Sequence, residues 1–225
     1  MHLADLARHR QAAYRLFGGV LLYPAEERLR TLSAVARELE RAGQELAGFA
    51  FFPQWIRFLR ALMQCEGTGT AGLEEAYVRL FVVNPDGLCP PYASHYLAAE
   101  APAWVIAEIE REYASSSVSL APSLGEPPDH VAVELEFLSL LCGEEAQAWD
   151  RKALPDAMQR LQVESRFLTS HLCPWVSEFA RIVALEDGGG FYSLATEAMW
   201  TFVEQDRELL GALLERFPKE REDVA

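Results

Sequence analysis

The sequence predicts an all-α protein, and three observations carry the prediction. Alanine and leucine together supply 63 of the 225 residues, against 24 for valine, isoleucine and threonine, which favours helix formers over β-branched strand formers. Apolar side chains recur at steps of three and four, as in Leu29, Leu32, Val35, Ala36 and Leu39, which puts them on one helical face. Prolines and glycines cut the chain into helix-length pieces, with Pro24, Pro53, Pro85, Pro102, Pro128, Pro155 and Pro174 each beside a helix boundary. A chain this long buries a core without disulfide or metal staples, so a single helical domain over residues 1–225, of about nine or ten helices, is expected.

In chain order, helices are expected at residues 5–22, 26–46, 53–65, 72–82, 96–113, 128–145, 155–171, 174–186 and 191–217, the last long enough to be interrupted. Residues 84–92, with three prolines and an Asp-Gly pair, must be loop. Residues 114–126, rich in small polar side chains, read as a hinge or linker, and a hinge there permits a domain-swapped dimer as well as a monomer. No internal repeat is visible, and residues 219–225 should fray.

Charge excludes several classes of partner. The net charge of −14 disfavours nucleic acid and anionic membrane surfaces, and a basic partner is easier to accommodate. The excess is uneven: residues 1–113 carry 11 basic against 14 acidic side chains, and residues 114–225 carry 9 against 20. Apolar runs are too short for stable membrane insertion, and the first residues lack the ordered zones of a secretory signal, so a cytoplasmic location is expected. Cys65, Cys89, Cys142 and Cys173 lie far apart, without the close pairs of a zinc knuckle.

Catalytic constellations are missing. The five histidines show no compact ligand spacing, and Gly188-Gly189-Gly190 has no following lysine to complete a phosphate cradle. Ser94 and His95 are adjacent but lack a glycine-flanked nucleophile elbow, and Glu134 and Glu136, two apart, point to different helix faces. No enzyme activity, metal or cofactor is expected.

The informative stretch is Glu126-Pro-Pro-Asp-His-Val-Ala-Val-Glu-Leu-Glu-Phe-Leu-Ser-Leu-Leu-Cys142. Pro127 and Pro128 set up a helix start, and Asp129 places a carboxylate where the helix dipole favours negative charge. From Val131 onward apolar residues cover most of the circumference, as in a central helix. His130 and Glu134, four apart, share a face with Asp129 at its mouth and Glu126 just ahead. Two readings stand: a capped helix whose histidine pairs locally with glutamate, or an acidic rim that receives an arginine guanidinium.

This segment resembles the signature of the TorD/DmsD/NarJ-type chaperones, or redox enzyme maturation proteins. Tyr77-Val-Arg-Leu-Phe81 with Pro91-Tyr92-Ala93-Ser94-His95-Tyr96 is similar to a second block of that family. Phe167-Leu-x-x-His171-Leu172 with Trp175, Phe179 and Phe191-Tyr192-x-Leu194-Ala195 resembles a third. The resemblance spans about residues 77–195 in the family's order, and Tyr14-Arg-Leu-Phe17 is compatible with it. It implies an all-helical cytoplasmic chaperone that binds the precursor of a molybdenum-containing oxidoreductase, through its twin-arginine leader peptide or its apo catalytic subunit, and assists cofactor insertion and export proofreading. The alternative within the family is a nitrate-reductase-type assembly chaperone for a leaderless subunit. The implied peptide-binding residues are Glu126, Asp129, His130 and Glu134, with Pro91, Tyr92, Ser94 and Tyr96; Tyr92 and Tyr96 would line a groove for the leader's apolar part. Ala93 stands where the family often has glutamate. The remaining aromatic residues of the third block read as packing.

Overall fold

In the computed structural model, which describes residues 2–43, 47–68, 70–82, 88–116 and 125–217, the chain forms ten α-helices and two π-helical turns. The helices are α1 (Leu3–Val20), α2 (Glu26–Ala42), α3 (Phe52–Thr68), α4 (Ala71–Tyr77), α5 (Ala93–Leu97), α6 (Pro102–Ser115), α7 (Val131–Asp150), α8 (Leu154–Phe167), α9 (Cys173–Asp187) and α10 (Phe191–Arg216). The fold is all-α; one isolated bridge, Tyr92 to His130, is the extended pairing among the described residues.

Most expected helices form within a few residues of their sequence bounds, and the departures have local causes. The helix expected over 96–113 divides into α5 and α6, because Pro102 starts a new helix and residues 98–101 turn between the two. Those expected over 72–82 and 155–171 each relax into a π turn at the end, Val78–Val82 and Leu168–Leu172. The last helix runs uninterrupted, preceded by Gly188 at φ 60, which ends α9 in a left-handed conformation that costs glycine little. Residues 83–87 of the expected loop, 117–124 of the expected hinge, 44–46 of the expected second helix and 218–225 lie outside the described residues.

α7 is the central helix. Val131, Leu135, Leu138, Leu141 and Cys142 are all fully buried, as its nearly all-round apolar pattern requires. α1 packs along α7, and at Gly18 the backbones come so close that a Cβ would sit 3.2 Å from the Ala132 carbonyl oxygen. Ser139 Oγ on α7 donates to the Gln11 carbonyl on α1 at 3.2 Å and fixes the register of the pair. α8, α9 and α10 close the far side, while α3 brings Trp55 and Phe58 against Phe17 and Phe202. One contiguous apolar cluster runs from Ala13 on α1 to Leu213 on α10. Among the described residues no helix is long and apolar enough to cross a membrane.

Candidate functional site

The two sequence blocks, residues 91–96 and 126–134, meet at the start of α7. Val131 N–H donates to the Pro91 carbonyl and Ala93 N–H to the Asp129 carbonyl, each at 2.9 Å, so the short segment before α5 lies across residues 128–131 as a strap. Ser94 N–H donates to Asp129 Oδ2 at 3.2 Å. Asp129 therefore serves the N-terminus of α5, not that of α7 as its sequence position suggested. Tyr113 on α6 adds a hydroxyl bond to the Pro128 carbonyl at 2.9 Å.

His130 is the cap of α7. Its backbone is extended and its Nδ1 accepts the Ala132 N–H at 3.1 Å, which supplies one of the donors that a helix start leaves unpaired. The ring is buried and packs edge-on against Tyr92 at 5.3 Å. Burial pushes its pKa down to about 4, so the imidazole is neutral in ordinary buffers. The local His130–Glu134 pair suggested by their spacing does not form: the cap turns the ring toward the backbone of its own helix.

Glu134 is fully buried, and neither of its carboxylate oxygens has a hydrogen-bond partner among the described residues. Burial pushes its pKa well above the usual carboxylate range; the nearby Trp175 indole works the other way and Asp129 raises it further. The Trp175 N–H falls outside hydrogen-bond geometry with Glu134 and is itself buried without a partner among the described residues. Tyr96 stacks on the Trp175 ring, with centroids 5.3 Å apart, and its hydroxyl is a third buried polar group without a partner. The indole N–H and two neighbouring side chains, Glu134 and Tyr96, therefore all carry polar groups without a partner among the described residues, a concentration that folded cores ordinarily avoid.

The remaining candidates are distributed around this corner. Glu126 is half-buried, with a pKa raised by that burial, and it and Asp129 both raise the pKa of the Tyr92 phenol after burial itself. Pro91 and Ser94 are buried in the strap, and Tyr92 and Tyr96 are half-buried. The Ala93 methyl is fully buried, so a glutamate at this position would carry its side chain from an inward-facing site. The two blocks do meet, but the acidic rim that the spacing suggested is closed: Asp129, His130 and Glu134 are all buried, and the strap is bonded across residues 129–131. Two residues not counted as candidates join them, Tyr113 and Trp175. Trp175 was visible in the third aromatic block, where it read as packing.

Residues 30–181 match the family described as nitrate reductase delta subunit, and the chain belongs to that family. It is 31% identical over 163 residues to the chaperone protein TorD of Vibrio cholerae serotype O1, covering 70% of this chain and 71% of that protein. The TorD chaperone of Photobacterium profundum is 29% identical over 199 residues, covering 79% and 89%. A crystal structure described as a redox enzyme maturation protein from Archaeoglobus fulgidus superposes with a TM-score of 0.55 at 24% identity, covering 86% of this chain and 93% of that one, and confirms the all-α fold. The chain is a chaperone of the TorD/NarJ type and not a catalyst.

Proposed function

We propose that the protein is a cytoplasmic chaperone that holds the precursor of a molybdenum-containing oxidoreductase through its twin-arginine leader, assists cofactor insertion and delays export until the subunit is complete. The observation that supports this reading most strongly is the unpaired, buried Glu134 carboxylate near the Trp175 indole, on which Tyr96 stacks. An arginine guanidinium brings the positive charge and the planar donors this group lacks, and would form charge-assisted bonds in a dry site. Glu126, at the half-buried edge, is placed to meet the same peptide first, and the net charge of −14 favours encounter with a basic leader. Access to Glu134 requires the strap at 91–97 to part from residues 128–131. Tyr92 and Tyr96 would then face the leader's apolar segment as in groove recognition.

Calorimetric titration with a synthetic leader peptide tests this reading. Binding should weaken at least about tenfold when both arginines become lysine and when Glu134→Gln or Glu126→Gln is introduced. Equal affinity in all cases would overturn the site assignment. The match to the nitrate reductase delta subunit family supports a second reading, an assembly chaperone for a leaderless subunit. Under it, a tagged chaperone recovers the apo catalytic subunit from anaerobically respiring cells whether or not a leader is present. Were the serine-rich stretch at 114–126 to act as the hinge its sequence suggests, a domain-swapped dimer as well as a monomer would be open to the chain, which light scattering distinguishes.

A further inference from the structure

A second polar cluster lies elsewhere in the core, and the leader-binding reading makes no use of it. Arg10 on α1 is almost completely buried. Its Nε donates to Asp206 Oδ1 on α10 and one terminal nitrogen to Glu145 Oε2 on α7, each at 2.5 Å; the other terminal nitrogen bonds Glu164 on α8 and reaches Asp206 Oδ2 at 3.1 Å. Tyr14 donates its hydroxyl to Asp206 at 2.5 Å, the Trp149 indole N–H bonds Glu145 at 2.7 Å, and the Cys142 thiol lies 3.7 Å from Glu164. One guanidinium thus faces three carboxylates. If all three were ionised, the core would hold two uncompensated negative charges, which a buried site does not tolerate.

We propose that this cluster is a proton-dependent tie that fastens α1, α7, α8 and α10 together around one retained proton and loosens when that proton leaves at alkaline pH. Glu164 is the seat of the proton: it is fully buried, its Oε1 has no partner among the described residues, and it receives a single guanidinium bond where Asp206 receives two and a phenol. Burial pushes its pKa up to about 8; Arg10 opposes that, and Glu145 and Asp206 add to it. Glu145 is also raised, while burial raises the Cys142 thiol and the Tyr14 phenol so far that both stay protonated. The titratable groups facing Glu164 are therefore Arg10 and Tyr14 from α1, Cys142 and Glu145 from α7, and Asp206 from α10.

Space for water reaches the Arg10–Asp206 side of the cluster. A cavity of about 20 Å³, room for one water, reaches Arg10 and Asp206 between His9, Phe51, Phe202 and Gln205. The same acids do not make a metal site. Cys142, Glu145 and Glu164 place ligand-type atoms within 4.8 Å of one another, but the guanidinium already bonds both carboxylates and supplies the charge a cation would bring.

The sign is fixed by linkage. A carboxyl whose folded pKa is raised keeps its proton where the unfolded chain has lost it, so unfolding releases a proton from about pH 4.5 to about pH 8, and stability falls as pH rises through that window. Denaturant unfolding of the wild type should show the equilibrium constant rising by up to about tenfold per pH unit there, with hydrogen-exchange protection of α8 and α10 falling in parallel. Glu164→Gln, which keeps the neutral shape, should lower that slope by about one proton, the share of this carboxyl, and leave the share of Glu134 and Glu145, whose pKa values burial also raises. Parallel pH profiles for variant and wild type would overturn the proposal. Should the variant not fold, infrared titration of Glu134→Gln, which removes the fully buried acid that lies outside the Arg10 cluster, should still show a protonated carboxyl that disappears near pH 8; no such band at pH 6 would overturn it too.

Discussion

The two buried polar regions of the molecule are built from the same side chains and end in opposite states. Around Arg10, three acids share a guanidinium supplied by the chain itself, and α7, α8 and α10 each contribute one acid to the tie. Around Glu134, an acid equally buried has no cation and no full hydrogen bond among the described residues. Burying a carboxylate is tolerable only when charge and donors are supplied. The Arg10 cluster meets that condition internally and so holds structure; the Glu134 corner leaves it open, which is the state expected of a site that takes its cation from a partner.

The largest expected effect breaks the first region. Arg10→Met leaves three acids without a cation, and chemical denaturation should report a loss of about 3–5 kcal/mol, the scale of a broken buried pair. Glu134→Met should do the reverse in its own region: it removes an unsatisfied acid and should leave stability unchanged or raised, while abolishing leader binding in calorimetry.

The acid side separates the regions next. His130 is held neutral in the folded protein, with a pKa lowered from about 6.5 to about 4, so the unfolded chain binds more protons in that window. Stability from this residue is therefore lost as pH falls from about 6.5 to about 4, opposite in sign to the loss expected from Glu164 as pH rises from about 4.5 to about 8, so the two offset each other between about pH 4.5 and 6.5. Thermal melts should show stability changing little between about pH 4.5 and 6.5 and falling above it, and replacing His130 with asparagine, which can still cap α7, should extend the fall down into the overlap.

A smaller effect tests the strap. Read from sequence alone, Asp129→Asn with His130→Ala should weaken leader binding without moving the melting temperature. The structure alters the second half of that expectation, because His130 caps α7 and Asp129 accepts from Ser94 at α5; a loss of about 1 kcal/mol, the scale of one N-cap, should appear in the melt. Smallest of all, Glu126→Gln at the half-buried edge should stay within about 0.5 kcal/mol of wild-type stability, so any loss of peptide affinity it causes is a binding effect.

Much of this was legible before any coordinates. Helix formers, stepwise apolar patterning and proline punctuation define the helices because those signals are local, and α7 showed itself as central by its apolar circumference. The blocks at 91–96 and 126–134 were legible as candidates from their residues. Arg10 was overlooked although a signal existed: it sits in line with Ala4, Ala7, Tyr14 and Phe17 on the buried face of α1, and a charge on an apolar stripe implies a partner. Glu145, Glu164 and Asp206 carry the same mark on α7, α8 and α10.

By itself, then, the sequence determined the helices, their apolar faces, the acidic balance and the family, all of which depend on residue types at short spacing. Only the tertiary structure decided which acids acquired a cation. Arg10 lies 135 residues from Glu145 and 196 from Asp206, so their pairing is a property of how four helices pack. Likewise His130 and Glu134, one turn apart, looked like partners, and the strap and the cap sent one to the backbone and left the other beside Trp175. Local spacing sets which groups are able to meet; burial and the packing of distant helices set which of them do, and at what charge.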